Sequence, residues 1–318
     1  MKTFDEIYKE LQSENSNELN NAWKEAKKED EKVKKLAGTI CLIIDILVGI
    51  MFFKNIMKLG SLFALLPVII IVFIINMFVF IIVNGLFSKN KSQYNLKYKN
   101  IVINKIISNF YNNLEYFPQK SMPEYIYKNL EYEYYNQYES DDYFEAQIDN
   151  KYGIQMAEIL TEEERTYKDS DGDTETETIT KFHGLFAKIV MDKSINSELR
   201  IMQNGAMMLR KDRLKMDSSE FEKYFDVKAL DSIVGMQLLT ADVMEELIEF
   251  EDKTNMKYDI YVKNNELYLR FHSGPMFEVG KLKKGALDKE TIQKYFYMLN
   301  FTYNLSNKLI NVVNDTQI

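Results

Sequence analysis

Residues 168–186 read KDSDGDTETETITKFHGLF, the part of the chain richest in groups able to bind a cation or move a proton. Asp169, Asp171 and Asp173 alternate around Gly172, and His183, one of 2 histidines, follows. A calcium loop of the helix–loop–helix kind needs alternating acids, a glycine at the sixth position and a bidentate Glu at the twelfth. Here Gly172 falls at the fourth position and Thr180 at the twelfth. Both flanks alternate polar and apolar residues, as strands do. Asp-Gly between such runs is a hairpin turn, because glycine takes a positive φ without steric cost. The stretch is therefore read as a turn, with no metal ligand assigned.

The remaining chemistry-bearing residues do not converge in sequence. No Ser or Cys sits in a nucleophile-elbow context, and no HExxH or phosphate loop appears. Cys41 is the single cysteine, so neither an internal disulfide nor an ordinary zinc set can form. Glu162, Glu163 and Glu164 are adjacent and cannot share one face of a strand or helix. No catalytic residue, cofactor or metal is assigned on this basis. An enzyme of unrecognised type remains the alternative, with His183 or His272 acting beside Asp171 or Glu278.

One further acid stands out by its surroundings. Asp45 interrupts the apolar run LAGTICLIIDILVGIMFF at 36–53, and Asn76 lies within LFALLPVIIIVFIINMFVFIIVNGLF at 62–87. Spanning a bilayer core of about 30 Å needs about 20 mostly apolar residues. The pair of runs predicts a transmembrane helical hairpin over 36–88. Ionisable groups in such segments are costly and mark functional sites by default. Asp45 lies 8 residues before Phe53, about 12 Å, while Asn76 lies 14 residues beyond Leu62, about 21 Å. In one simple hairpin they miss each other. Asp45 then sits nearer Ile70, just past Pro67, which frees the Phe63 carbonyl; a protonated Asp45 can donate a hydrogen bond to that carbonyl or to a neighbouring chain. Gluing helices together is one role for Asp45; a small oligomeric channel or transporter component is another.

Lysines set the orientation. Lys24, Lys27, Lys28, Lys32, Lys34 and Lys35 precede the first run; Lys89, Lys91, Lys97, Lys99 and Lys105 follow the second. The link holds only Lys54 and Lys58. The positive-inside rule places both termini in the cytoplasm of a multi-pass inner-membrane protein. Residues 1–88 hold 10 Lys/Arg and 10 Asp/Glu, whereas 89–318 hold 30 and 38. An acidic balance of this kind lacks the basic face that nucleic acid requires, so no nucleic-acid partner is expected.

Four segments follow: a cytosolic helical segment (1–35), the hairpin (36–88), a juxtamembrane helical segment (89–140) and a cytosolic α+β domain (141–318). FDEIYKEL places Phe4, Ile7, Tyr8 and Leu11 on one stripe. In SQYNLKYKNIVINKIISNFYNNL, residues Ile103, Ile106, Ile107, Phe110 and Leu114 line one side, which suits either the membrane interface or a core. Beyond 141, alternating runs predict an antiparallel sheet with helices packed on it. YDIYVKNNELYLRF reads as a hairpin turning on Asn264-Asn265; Ser219-x-x-Glu222 reads as a capping box, and Thr240 as the cap of ADVMEELIEF. Lys281, Lys283 and Lys284 in GKLKKG are candidates for contact with anionic lipid heads or a partner.

The ordered motifs YKNIVINKII, LEYFP, SDDYFEAQID, TKFHGLFAKIVMDK, DSSEFEKYFDV, MQLLTADVMEEL and NNELYLRFHSG resemble the bacterial domain of unknown function 3137 family over about 92–310, with the hairpin before it. His183 stands where many members carry Arg, which makes it a poor candidate for a shared catalytic residue. The resemblance implies a membrane-anchored cytosolic domain with no established activity. It also implies an association with LemA-like membrane proteins, as partner or shared pathway. The expected function is thus a non-enzymatic module, anchored in the membrane bilayer, that binds a protein partner, a second copy of itself or the inner membrane surface.

Overall fold

The computed structural model describes residues 1–14, 16–59, 66–86, 89–168, 172–203, 213–280 and 282–315. The chain forms two compact units. A sheet unit comprises Met1–Tyr8, Lys99–Glu278 and Lys289–Ile318; a helical unit comprises Lys9–Tyr98 and Val279–Asp288.

The chain begins with α1 (Phe4–Glu14), α2 (Ser16–Leu59), α3 (Leu66–Leu86) and α4 (Lys89–Tyr98). α2 runs 44 residues without a break, so the polar leader and the first apolar run are one helix. α3 returns antiparallel to it: Val33 and Ala37 pack on Val83, with Ile40 and Val79 alongside. α4 lies back along α2, where Glu29 accepts the Asn90 N–H at 2.9 Å and Lys97 meets Glu18 at 3.4 Å.

Asp45 and Asn76 do meet: the Asn76 amide donates to Asp45 Oδ1 at 2.9 Å. The depth reckoning failed because α2 continues to Leu59. Asp45 therefore stands 14 residues before the end of α2, about 21 Å, and Asn76 stands 10 residues after the start of α3, about 15 Å, which brings their levels closer. Phe63, the other partner considered, lies outside the described residues.

Leu42, Ile46, Leu47 and Ile50 on α2, and Ile69, Ile71, Phe73, Phe78 and Ile82 on α3, are all exposed. Among the described residues no helix is long and apolar enough to cross a membrane. The expected spanning hairpin is thus found as an antiparallel helix pair and no more. The described side chains of α3 run unbroken only from Ile69 to Val83, and α2 carries Asp45 within its apolar part.

The expected α+β class is present. Eight strands form one sheet: β1 (Asn112–Phe117), β2 (Gln137–Ile148), β3 (Tyr152–Lys168), β4 (Thr174–Val190), β5 (Glu198–Gln203), β6 (Phe225–Ala229), β7 (Tyr258–Lys263) and β8 (Glu266–Phe271). Their order is β1-β2-β3-β4-β8-β7-β5-β6, and each neighbouring pair is antiparallel. Residues 89–140, expected to be helical, in fact supply β1 and the start of β2. Between α4 and β1 lie a π-helical turn (Lys99–Ile103) and α5 (Asn104–Phe110). Ile103, Ile106, Ile107 and Phe110 are buried, so this stripe is core and not an interfacial face.

Both faces of the sheet are covered. On one, α6 (Glu124–Lys128) and the tyrosine-rich segment after it pack on Ile159, Phe182, Phe186, Tyr261 and Tyr268. The remaining helices are α7 (Phe221–Tyr224), α8 (Ser232–Leu238), α9 (Ala241–Thr254) and α10 (Lys289–Asp315). On the other face Phe250 of α9 stacks on Phe301 of α10 at 3.8 Å, and Phe301 meets Tyr258 and Phe271 of β7 and β8. Double coverage explains why β7 and β8 are apolar in near-continuous runs. The start of α1 also packs here, with Phe4 against Phe296 at 5.7 Å.

Local signals behave as expected in most places. Asn264 takes φ 53° in the β7–β8 turn. Thr240 Oγ1 accepts the Val243 N–H at 3.4 Å. The Ser219 capping box does not form: Ser218 Oγ accepts from Phe221 N–H instead, and Glu222 accepts from Met216 N–H. β3 and β4 pair as far as Lys168 with Thr174. Among the described residues no third strand flanks them past Glu162, since β2 starts pairing at Gln137–Glu162 and β8 joins only from Leu185. That end is a two-stranded ribbon, and Asp173 and Gly172 (φ +88°) lie exposed at its tip. Asp169 and Asp171 lie outside the described residues.

Candidate functional site

The helix-covered face of the sheet holds a polar centre that the sequence does not announce. Its cation is Lys99, the first residue of the π turn, with its side chain 5% exposed. Inserting one residue into a helical turn redirects the side chains around it, and such turns cluster at functional sites. Lys99 Nζ reaches Asp142 Oδ2 at 2.6 Å, Glu278 Oε1 at 2.6 Å and Asp141 Oδ2 at 3.6 Å.

Asp142 is fully buried and takes φ +52° where β2 bulges between Asp141 and Phe144. Aspartate tolerates this left-handed conformation better than most residues. The bulge turns the carboxylate inward, where Tyr116 OH donates to Oδ1 at 2.5 Å. Glu158, across the register from Asp141 on β3, accepts the Met276 N–H at 2.8 Å. His183 Nε2 lies 3.3 Å from the other Glu158 oxygen.

Three carboxyl groups thus reach one ammonium, with Glu158 beside them. Burial raises Asp142 to about 7 against the attraction of Lys99, and it raises Glu158 to about 8, against the Met276 N–H. Burial also raises Asp141. Lys99 moves the other way relative to its charge: burial works against the ammonium, but Asp142 and Glu278 outweigh it and hold its proton more tightly. Lys99 has three carboxylates in reach and stays charged, so Asp142 is the partner that titrates. One oxygen from each of Asp141, Asp142 and Glu158 lies within 4.8 Å of the others, an arrangement able to face a hard cation. Lys99 supplies the positive charge there. The centre is open on one side, where Asp141 and Glu278 are 47% and 40% exposed.

A second polar centre lies on the tyrosine-covered face. Arg270 donates to Asp259 and Tyr127 at 3.0 Å each and to Glu133. The Tyr132 ring lies 4.0 Å from its guanidinium. His272 Nε2 lies 3.0 Å from Asp259, whose carboxyl is lowered because His272 and Arg270 overcome its burial. This packing ties the tyrosine segment to β7 and β8.

The sequence-named residues therefore separate. His183 and Glu278 join the Lys99 centre, while His272 joins the Arg270 centre. Asp45 and Asn76 pair within the helical unit. Lys281 lies outside the described residues; Lys283 is exposed, and Lys284 meets Asp288 at 3.5 Å. Lys99 was named only among the lysines that follow the second apolar run, and Asp142, Glu158 and Tyr116 were not singled out. Their one sequence signal is Asp141-Asp142, two acids inside a strand run that is otherwise aromatic and apolar.

An α+β sheet unit that buries a lysine–carboxylate centre is thus joined to an apolar helix pair. Residues 180–310 match the model of the family described as "Protein of unknown function (DUF3137)". The match covers β4 to α10 and leaves the helix pair outside it. Among solved structures the chain is similar to the mycobacterial trehalose monomycolate transport factor A, TtfA. The identity is 6% and the TM-score 0.34, over 67% of this chain and 94% of that one. No curated protein matches the chain.

Proposed function

We propose that the chain is a multi-pass inner-membrane protein whose cytosolic sheet unit binds a protein partner. The observation that carries this reading is the exposed apolar surface of α2 and α3, from Leu42 to Ile50 and from Ile69 to Ile82. Contiguous apolar surface of this extent is strongly unfavourable in water. The Asp45–Asn76 pair satisfies two polar groups against each other, as interhelical glue does. Lysines at both outer ends favour cytoplasmic termini.

Membranes carrying the full chain are washed with alkaline carbonate, and a C-terminal tag is probed with protease in right-side-out and inside-out vesicles. The expected result is retention after the wash and protection only in right-side-out vesicles. Release by carbonate refutes anchoring. Purification in mild detergent followed by mass spectrometry tests the partner, a LemA-like protein among the expected ones. A solitary monomer refutes that part.

The Lys99 centre favours a second, catalytic reading. Carboxyl groups titrating near neutrality can give and take protons, and His183 and Glu278 stand at the same centre. A panel of chromogenic esters and phosphoesters at pH 5–9 tests it. Turnover that Glu158→Gln abolishes supports it; background rates throughout refute it for those reaction classes.

A further inference from the structure

We propose that the helical unit binds the head group of a zwitterionic aminophospholipid, a phosphate followed by a primary ammonium. The inference rests on the membrane anchoring proposed above and names a ligand for it. A cavity of about 280 Å³ lies against α2, lined by Glu25, Lys28, Glu29, Lys32, Val33 and Leu36. That size is near the lower end of small-molecule sites.

The order of side chains along α2 identifies the occupant. Residues 25, 28, 29, 32 and 36 recur at helical spacing and share one face. Leu36 is exposed and opens the apolar part of α2. Lys32 lies one turn back, about 6 Å along the axis, and Lys28 one turn further. Glu25 closes the series, about 10 Å from Lys32. A phospholipid lying along this face presents the same sequence: acyl chain at Leu36, phosphate at Lys32 and Lys28, ammonium at Glu25.

Charge excludes the commoner alternatives. A purely anionic head group would place its outer end against Glu25 and Glu29. A choline head group has no N–H to donate to a carboxylate. Glu29 is tied to the Asn90 N–H at the start of α4, whereas Glu25 is exposed at the outer end of the same face, where the ammonium falls. Lys28 and Lys32 are exposed, and their long stems let the charged ends settle on a phosphate at the level where the apolar surface begins.

The full chain in mild detergent is titrated with phosphatidylethanolamine, phosphatidylcholine or phosphatidylglycerol of matched acyl chains, and bound lipid is counted by native mass spectrometry. Phosphatidylethanolamine is expected to bind most tightly. Each of Lys28→Ala and Lys32→Ala should weaken it about fivefold, from the roughly 1 kcal/mol a lysine contributes near lipid phosphate. Glu25→Gln should remove the preference over phosphatidylcholine and leave phosphatidylcholine binding unchanged. All three positions are exposed, so circular dichroism should show unaltered folding. Equal affinity for the two zwitterionic lipids, tightest binding of phosphatidylglycerol, or an unaffected Glu25→Gln overturns the proposal. Carbonate extraction of the same proteins separates the two ideas. A chain that resists extraction yet ignores head groups loses only this one.

Discussion

Lys99→Met should destabilise the protein in a way that grows with pH. In the native protein Asp142 titrates at about 7, against 3.8 for an ordinary aspartate, because burial outweighs its lysine. A raised carboxyl binds its proton more tightly in the folded state. It therefore lowers stability as pH climbs from about 4 to about 7 and adds no further slope above that. Removing the Lys99 ammonium raises Asp142 further, so the variant keeps losing stability above pH 7. The loss is about 1.4 kcal/mol per pH unit. At pH 5 Asp142 is protonated in both folded proteins, and only hydrogen bonds and packing are lost, about 1–2 kcal/mol. At pH 9 the destabilisation should be larger by about 2.7 kcal/mol, in line with the 3–5 kcal/mol typical of a broken buried pair. Denaturant titrations followed by circular dichroism at pH 5, 7 and 9, on both proteins in the same detergent, supply the numbers. A destabilisation constant across that range, or largest at pH 5, would refute the assignment of Asp142 as the titrating partner.

Further outcomes follow from other contacts. Gly184→Ala should prevent normal folding, since its Cβ would lie 1.8 Å from the Phe271 carbonyl oxygen where β4 meets β8; loss of a cooperative thermal transition checks this. Arg270→Met should cost about 3–5 kcal/mol by leaving Glu133 and Asp259 buried without their cation, read as a drop in denaturation midpoint. Arg270→Lys should recover only part, because an ammonium cannot serve three partners in a fixed plane. Asn76→Leu should weaken the helix pair by about 1 kcal/mol, whereas Asp45→Asn should keep its amide bond to Asn76. Unfolding in mixed micelles distinguishes the two.

Much of the sheet was legible because its strands carry local signals. The alternation in TETETITKF, the Asn264-Asn265 turn and the Thr240 cap each depend on neighbours within a few residues. The segment 89–140 misled, because Ile103, Ile106, Ile107 and Phe110 show helical spacing whether the surface they meet is lipid or protein. Asp45 and Asn76 were judged apart because the end of α2 was placed at Phe53. The polar residues of KNIMKL continue the helix without changing its hydrogen bonding.

Of the Lys99 centre, only His183 and Glu278 were legible as candidates, and not as members of one site. Lys99, Asp142, Glu158 and Glu278 come from a helical turn, two strands and the segment before α10. Only strand register brings them together. Each alone looks like a solvated charge, and burial becomes apparent only once the covering helices are in place.

The ribbon formed by the outer ends of β3 and β4 has a practical consequence. Among the described residues neither strand has a neighbouring strand there; the Asn136 side chain caps the N–H and C=O of Glu164, and the edges beyond it face outward. Glu164, Arg165, Lys168, Glu175 and Glu177 crowd those edges with charge, which discourages strand addition by another molecule. Exposed tips held this far from a core tolerate foreign sequence well. An epitope or a split-reporter fragment spliced in after Gly172 should leave the sheet intact. It would make the turn a permissive insertion point for tracking the protein in living cells.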